Sequence, residues 1–382
     1  MNILASVPKW NGVVSGVEYH RIFIPFKNVK NVIYTDNIES ITAQFLKDND
    51  IGVVWFNRNI SPLNLRPDIM FRTLRYMKIK IVIDIDDSWN IPFGHILYKP
   101  TVLQNRRNSA ISQIKAADYV IVTHNHLKDC IIKELKVRKD RIIVAPNGID
   151  PTEPQYAQEF SYKLDNICWQ GSVTHHHDLK LISGAVNELN KKIYIAGYNP
   201  ESCYSLTKME DINLEPSGHY FDDRKWIYDL PLSERWNYWE DRGTKVYHWE
   251  EIGNMFNRKQ WIHEMPANEY MNIYQNKGLI LIPLESTKFT ACKSNIKLLE
   301  SGWAKKPVIV SHTKPYLPLA KNRVNCETAL KKEDWKDSIE YILENPNYAD
   351  DLRFKLHEDV IENYLIDKVN ESRLELISKI LN

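Results

Sequence analysis

The stretch GLILIPLESTKFTACKSNIKLLESG (278–302) decides how this chain reads. It opens on the apolar run GLILIPL, which suits a strand covered on both faces. After a loop comes a helical pattern in which Ile296, Leu299 and Trp303 fall on one face. Ser294 or Asn295 stands where a helix N-cap is wanted. Strand, loop at the strand's carboxyl end and amphipathic helix form one βα unit of a parallel sheet.

Working outward, the same rhythm recurs. NILASV (2–7), NVIYTD (31–36), IGVVWF (51–56), IKIVIDID (79–86), DYVIVT (118–123) and RIIVAPN (141–147) read as strands, with helical stretches at 60–78, 103–117 and 126–137. PNGIDP (146–151) interrupts the pattern. It restarts with NICWQGS (166–172), KIYIAG (192–197), QWIHEM (260–265), GLILIPL (278–284) and PVIVSH (307–312). The expectation is two consecutive doubly wound units: 1–155, and 156–350 with an insertion at 200–258. Helices from 351 to 382 then reach back over the first unit. The insertion holds Trp226, Trp236, Trp239 and Trp249 and one short strand candidate, 245–249. It reads either as a small core of its own or as a platform for an acceptor or partner.

Composition bounds the function. With 382 residues and 43% hydrophobic content, the chain can fill two cores. A net charge of +1 gives no general electrostatic attraction to nucleic acid or anionic membrane. Five widely spaced cysteines without a CxxC pair suit free thiols in a reducing compartment better than a disulfide framework or a zinc site. MNILASVPKW does not resemble a signal peptide, and a cytoplasmic location is expected.

In a doubly wound sheet ligands sit at the carboxyl ends of the strands. After the first strand, Gly12 and Gly16 precede a helix and would let backbone amides approach a phosphate or sugar, or form an ordinary turn. IVIDIDDSWN (81–90) ends on Asp84, Asp86 and Asp87, carboxylates that suit sugar hydroxyls, a developing positive charge, a hard cation, or simple helix capping. In GSVTHHHDL (171–179), three adjacent histidines cannot converge on one point. His175 and Asp178 can: the histidine to face a phosphate, the aspartate to orient it or cap the helix. In the opening stretch the first-turn amides and Lys293 would suit a diphosphate, although on these residues alone a plain amphipathic helix is the stronger reading. Glu300 lies about 7.5 Å further along the axis from Asn295, within reach of a ribose.

Taken together, VIVTHNHLKDCIIKELKVRKDRIIVAPNGID (120–150), GSVTHHHDL, and ANEYMNIYQNKGLILIPLESTKFTACKSNIKLLESGWAKKPVIVSH (267–312) resemble glycosyltransferase family 4. These are retaining enzymes of the GT-B fold, with two Rossmann-like domains facing across a cleft, and they use nucleotide-sugar donors. The resemblance implies that Glu300 binds the donor ribose and that the amides of Lys293, Ser294, Asn295 and Ile296 meet its diphosphate and sugar. Gly171 and Ser172 fall at a Gly-Arg pair whose arginine is absent here, and His177 stands where a lysine is usual. A branch of the family with a Gly…His-x-x-Asp loop and a Lys-Ser-x-x-Lys-x-x-Glu helix is more similar, and implicates His175, Asp178, Lys293 and Lys297. Cys292 replaces the family's first glutamate, a role either dropped here or supplied by Glu285 or by Asp86 and Asp87. Asp86, Asp87 and His175 are therefore the expected catalytic residues, and Gly16, Gly171, Ser172, Asp178 and Lys293–Lys297 with Glu300 the donor-binding ones. No metal or cofactor is expected beyond the nucleotide sugar as co-substrate.

The acceptor expected from the resemblance is a saccharide or lipid-linked glycan. FRTLRYMKIK (71–80) is a candidate for peripheral membrane contact, or an ordinary amphipathic helix. A modified DNA base is a less common acceptor, with Arg72, Arg75, Arg106 and Arg107 as its basic residues. A nucleotide-sugar epimerase and a catalytically silent binding module are the readings from other classes.

Overall fold

Six apolar runs of the first half assemble into one parallel sheet: β1 (Asn2–Ser6), β2 (Val32–Thr35), β3 (Ile51–Asn57), β4 (Lys80–Ile85), β5 (Tyr119–Val122) and β6 (Ile142–Val144). The computed structural model describes residues 1–10, 13–36, 41–60, 67–93, 95, 97–98, 106–198 and 247–381. The strand order is β2-β1-β3-β4-β5-β6 and each pairing is parallel. The whole of β3 is buried, which is why IGVVWF carries no polar alternation: helices cover both faces.

The second sheet contains β7 (Ile167–Gln170), β8 (Ile193–Tyr198), β9 (Lys259–His263), β10 (Ile280–Ile282), β11 (Val308–Ser311) and β12 (Glu327–Ala329). Its order is β9-β8-β7-β10-β11-β12, again parallel throughout. Both sheets reverse direction of growth beside their first strand. The crevices at β1/β3 and β7/β10 are therefore the places where a doubly wound fold takes ligands.

The chain crosses between the two sheets twice, at one place. Ile149 and Leu365 form a parallel bridge, in which the Ile149 amide donates to the Tyr364 carbonyl at 2.8 Å and the Ile366 amide to the Ile149 carbonyl at 2.8 Å. A Cβ on Gly148 would lie 2.6 Å from a Val369 methyl, so glycine in PNGID lets the returning segment pack against the outgoing one. Pro346–Tyr364 packs its Leu352, Leu356 and Val360 on the second core. The return expected from 351 thus starts at Leu365. Beyond it, Leu376 and Ile377 join Ile3, Val53 and Trp55 in the first core.

One local expectation changes. The strand candidate at 245–249 overlaps a helix, Tyr247–Met255, with Ile252 and the following Phe256 buried in the second core, so tertiary burial outweighs the β propensity of the run. β12 escapes a pattern search because it is three residues long at a sheet edge. FRTLRYMKIK is the amphipathic helix Pro67–Tyr76 running into β4: Phe71 and Leu74 are spent in the core, and Arg72 pairs with Asp68 at 3.0 Å. Gly12 and residues 200–246 of the insertion, with Trp226, Trp236 and Trp239, lie outside the described residues. Among the described residues no helix is long and apolar enough to cross a membrane.

Candidate functional site

The crevice at β7/β10 brings the two strongest sequence motifs together. From the end of β7, Gly171 and Ser172 lead into a 3-10 turn, Val173–His175, and the short helix His176–Leu179. From the end of β10, the chain passes through Thr290–Cys292 to the helix Ile296–Trp303. Neither Ser294 nor Asn295 caps this helix: Asn295 occupies the N-cap position without a side-chain capping bond, its side chain bonding Tyr364 instead. Among the described residues, the amides of Ser294, Asn295, Ile296 and Lys297 donate to no acceptor, the first intrahelical bonds being those of Leu298 and Leu299 to the Asn295 carbonyl. Free first-turn amides are what a bound anion needs.

Lys297 extends from that turn with its Nζ 5.5 Å from the Trp169 ring centroid. Burial, reinforced by Lys293, pulls its ammonium down to about 8, against the opposing pull of Asp178 and Glu300. Gly171 makes room for it, since a Cβ there would stand 2.9 Å from Lys297 Nζ and 2.7 Å from the Trp169 ring. Gly197 is needed behind it, at φ +92 and 2.4 Å from the Gly171 carbonyl oxygen if it carried a Cβ. Gly171→Ala is expected to lower stability by about 1–3 kcal/mol and to displace Lys297. Urea unfolding checks this, and an unchanged midpoint contradicts the close packing.

His175 and Asp178 form the expected pair, Nδ1 to Oδ2 at 2.8 Å, and Asp178 Oδ1 also accepts the Glu285 amide at 2.8 Å. Burial and the charges of Lys297 and Lys293 push the His175 imidazole down to about 4. The ring is neutral at physiological pH, with Nδ1–H donated to Asp178 and Nε2 open as an acceptor. Asp178 remains below the ordinary carboxylate range because its bonds to His175 and Glu285 outweigh the cost of its burial.

Glu300 is 2% exposed, one turn into the Ile296–Trp303 helix. Tyr274 OH lies 3.5 Å from Glu300 Oε2 and 3.4 Å from Ser301 Oγ, and accepts from the Gln170 amide. Burial and the Glu300 carboxylate push the Tyr274 phenol far up, so it stays a donor. From the first lobe, His20 Nε2 approaches Glu300 Oε1 to 3.5 Å. His20 lies in a π turn, Tyr19–Phe23, inside the helix that starts at Gly16. Gly16 itself is exposed with no atom within 4 Å of its would-be Cβ, so that helix start is open to approach.

The aspartates at the end of β4 separate. Asp84 turns inward: Arg21 grips it at 2.7 and 3.1 Å, and Arg373 of the returning tail lies 3.6 Å away. Asp86 is held by Arg58 through two bonds of 2.7 Å, which keep its carboxyl below the ordinary range although burial opposes its charge. Asp87 faces the cleft, 2.9 Å from Arg58 and 3.5 Å from Lys293 Nζ. The carboxylates are thus spent on arginines and do not converge as a hard-cation site. Lys293 is fixed from the first lobe as well, because His124 accepts the Leu127 amide on Nδ1 and donates Nε2–H to the Lys293 carbonyl at 3.0 Å.

Cys292, in place of a glutamate, turns away from the crevice. Its side chain joins the first lobe's core, 3.6 Å from Cys130 Sγ. Sequence reading missed His20, Arg58, His124, Trp169, Gln170 and Tyr274. Each acts across a sequence separation that only tertiary structure closes.

No protein-family model matches the chain, and no curated protein matches it. Solved structures do. A glycosyltransferase from Rickettsia africae is 14% identical, with a TM-score of 0.61 over 100% of this chain and 98% of that one. Anabaena HepE in complex with UDP and glucose is 11% identical, with a TM-score of 0.62 over 99% of this chain and 100% of that one. The sucrose-phosphate synthase of Thermosynechococcus elongatus is 12% identical, with a TM-score of 0.55 over 88% of this chain and 76% of that one. The two parallel sheets, their strand orders and these similarities establish the GT-B architecture for this chain.

Proposed function

We propose that the protein is a retaining glycosyltransferase that moves a sugar from a nucleotide-sugar donor to a hydroxyl of a saccharide or lipid-linked glycan. One observation carries the reading: four unclaimed amides at the start of the Ile296–Trp303 helix, flanked by Lys293 and Lys297, with buried Glu300 one turn behind. Amides and ammonium groups suit a diphosphate, and a carboxylate at that distance suits ribose hydroxyls. HepE, similar in fold, is solved with UDP and with UDP-glucose, which favours a uridine donor here.

Front-face transfer follows from the family resemblance. The bond from the anomeric carbon to the diphosphate oxygen breaks with its electron pair going to the diphosphate. The acceptor oxygen bonds to the same face, and its proton passes to the leaving diphosphate. Lys297 and the helix amides hold the charge that develops. His175 Nε2 accepts a sugar hydroxyl, and Asp87 with Arg58 lines the acceptor side. Metal is not needed for the reaction, since the helix dipole and lysines meet the same charge. A DNA acceptor would want a positive groove, whereas the charge of Arg72 is met by Asp68 on its own helix. The reaction is expected in the cytoplasm.

Incubation with UDP-, GDP- and ADP-sugars, followed by mass spectrometry and NMR of the anomeric proton, tests the proposal. Slow donor hydrolysis and retained configuration in a transfer product are expected. A new sugar nucleotide would make it an epimerase, and no turnover a silent module. A pH profile tests the Lys297 role separately. Diphosphate affinity should be full below about pH 8 and fall as pH rises through it, because the uncharged amine no longer attracts the anion. Calorimetry with UDP from about pH 7 to about pH 9.5 reads this, and a flat profile contradicts it.

A further inference from the structure

The cysteines of this chain carry no zinc spacing in sequence, yet two of them meet a histidine at the contact between the lobes. His126 and Cys130 stand four apart on the helix Asn125–Cys130, so both project from one face. Cys292 comes from the second lobe, at the end of the turn that leads to Lys293. Cys292 Sγ is 3.6 Å from Cys130 Sγ, and Cys130 Sγ is 3.7 Å from His126 Nε2. The three donor atoms lie within 4.8 Å of one another, and among the described residues this is the one such cluster of His, Cys, Asp or Glu.

These separations have a chemical meaning. Zn–S bonds of about 2.3 Å and Zn–N bonds of about 2.1 Å at tetrahedral angles set S···S edges of about 3.8 Å and S···N edges of about 3.6 Å. The Cys292–Cys130 and Cys130–His126 separations match these edges, and the third, between Cys292 and His126, lies within 4.8 Å. We propose that His126, Cys130 and Cys292 bind a zinc(II) ion that ties the two lobes together. Two thiolates and one imidazole are a thiophilic donor set that discriminates against magnesium and calcium. His126 and Cys130 are half-buried, which leaves access for the ion and a fourth position for water.

The consequence is mechanical. The turn Thr290–Cys292 runs straight into Lys293, which the first lobe already holds through Asp87 and the His124 ring. An ion at Cys292 anchors that turn to the Asn125–Cys130 helix and so ties the second lobe to the first. Its role is structural and independent of whether the crevice at β7/β10 takes a nucleotide sugar.

The test is anaerobic titration of the full chain, kept reduced by a phosphine, with cobalt(II) as a spectroscopic stand-in for zinc(II). An equimolar complex is expected, with thiolate-to-cobalt charge-transfer absorption and tetrahedral ligand-field bands, both bleached by zinc(II). Cys292→Ser and Cys130→Ser are each expected to weaken cobalt binding at least about 100-fold, and His126→Ala by about 10–100-fold. Circular dichroism confirms that the variants fold. If Cys130→Ser unfolds, Cys292→Ser alone decides, since that residue belongs to the other lobe. Absence of the charge-transfer band, or a band that persists unweakened in Cys292→Ser, would overturn the proposal.

Discussion

Lys297→Met is expected to cut turnover of the nucleotide-sugar donor by about 10²–10³-fold, the cost of removing one preorganised charge from a departing oxyanion. Lys297 makes no hydrogen bond or ion pair among the described residues, resting instead over Trp169 with Asp178 and Glu300 at longer range. Its charge is therefore available to a ligand in a way that a paired lysine's is not. Methionine preserves the length and apolar body of the side chain, and burial already penalises the ammonium. The variant should melt at or above the wild-type temperature. Lys297→Arg should not restore activity, because the larger guanidinium has no room in a niche that excludes even a Cβ at Gly171. Steady-state kinetics beside a melting curve separates these effects. Full activity in Lys297→Met would remove the lysine from the transfer step.

The second large effect concerns stability. Asp84→Leu is expected to cost about 3–5 kcal/mol, because it strands buried guanidinium groups without their carboxylate. Arg21 and Arg373 are each 1% exposed and Asp84 is 0% exposed. Arg21 keeps the Ala145 carbonyl and Asn147 as partners, neither of which neutralises it. Arg373 sits on the returning helix Glu371–Leu381, so the loss should also loosen the tail from the first lobe. Urea unfolding measures the cost, and amide exchange in 371–381 reads the tail. A change below about 1 kcal/mol would mean the cluster is not structural.

Asp84 also illustrates what the sequence could and could not convey. IVIDIDD announces a buried strand ending in carboxylates, and that much is local. Which carboxylate faces the cleft depends on Arg21, Arg58, Arg373 and Lys293, which arrive from other elements and, for the last, from the other lobe. The parallel strands were legible because double-sided burial leaves an unbroken apolar run, as in β3 and β4. β12 was not, since three residues at an edge give no periodicity. In the crevice at β7/β10, His175 and Asp178 could be paired from their spacing. The contacts of Glu300 with His20 and Tyr274 could not. Cys292 reads in sequence as a missing glutamate, and in the fold as part of a contact between lobes.

Binding of a nucleoside diphosphate at the Ile296–Trp303 helix is tested by thermal denaturation with UDP, GDP, ADP and CMP. A ligand present at about 100 times its dissociation constant stabilises the fold by about 2.7 kcal/mol, readily seen as a raised melting temperature. One of the diphosphates, UDP foremost, is expected to raise the melting temperature of the wild-type chain, and Glu300→Ala to lose most of that rise. No shift with any nucleotide, or a shift that Glu300→Ala keeps in full, would contradict that binding.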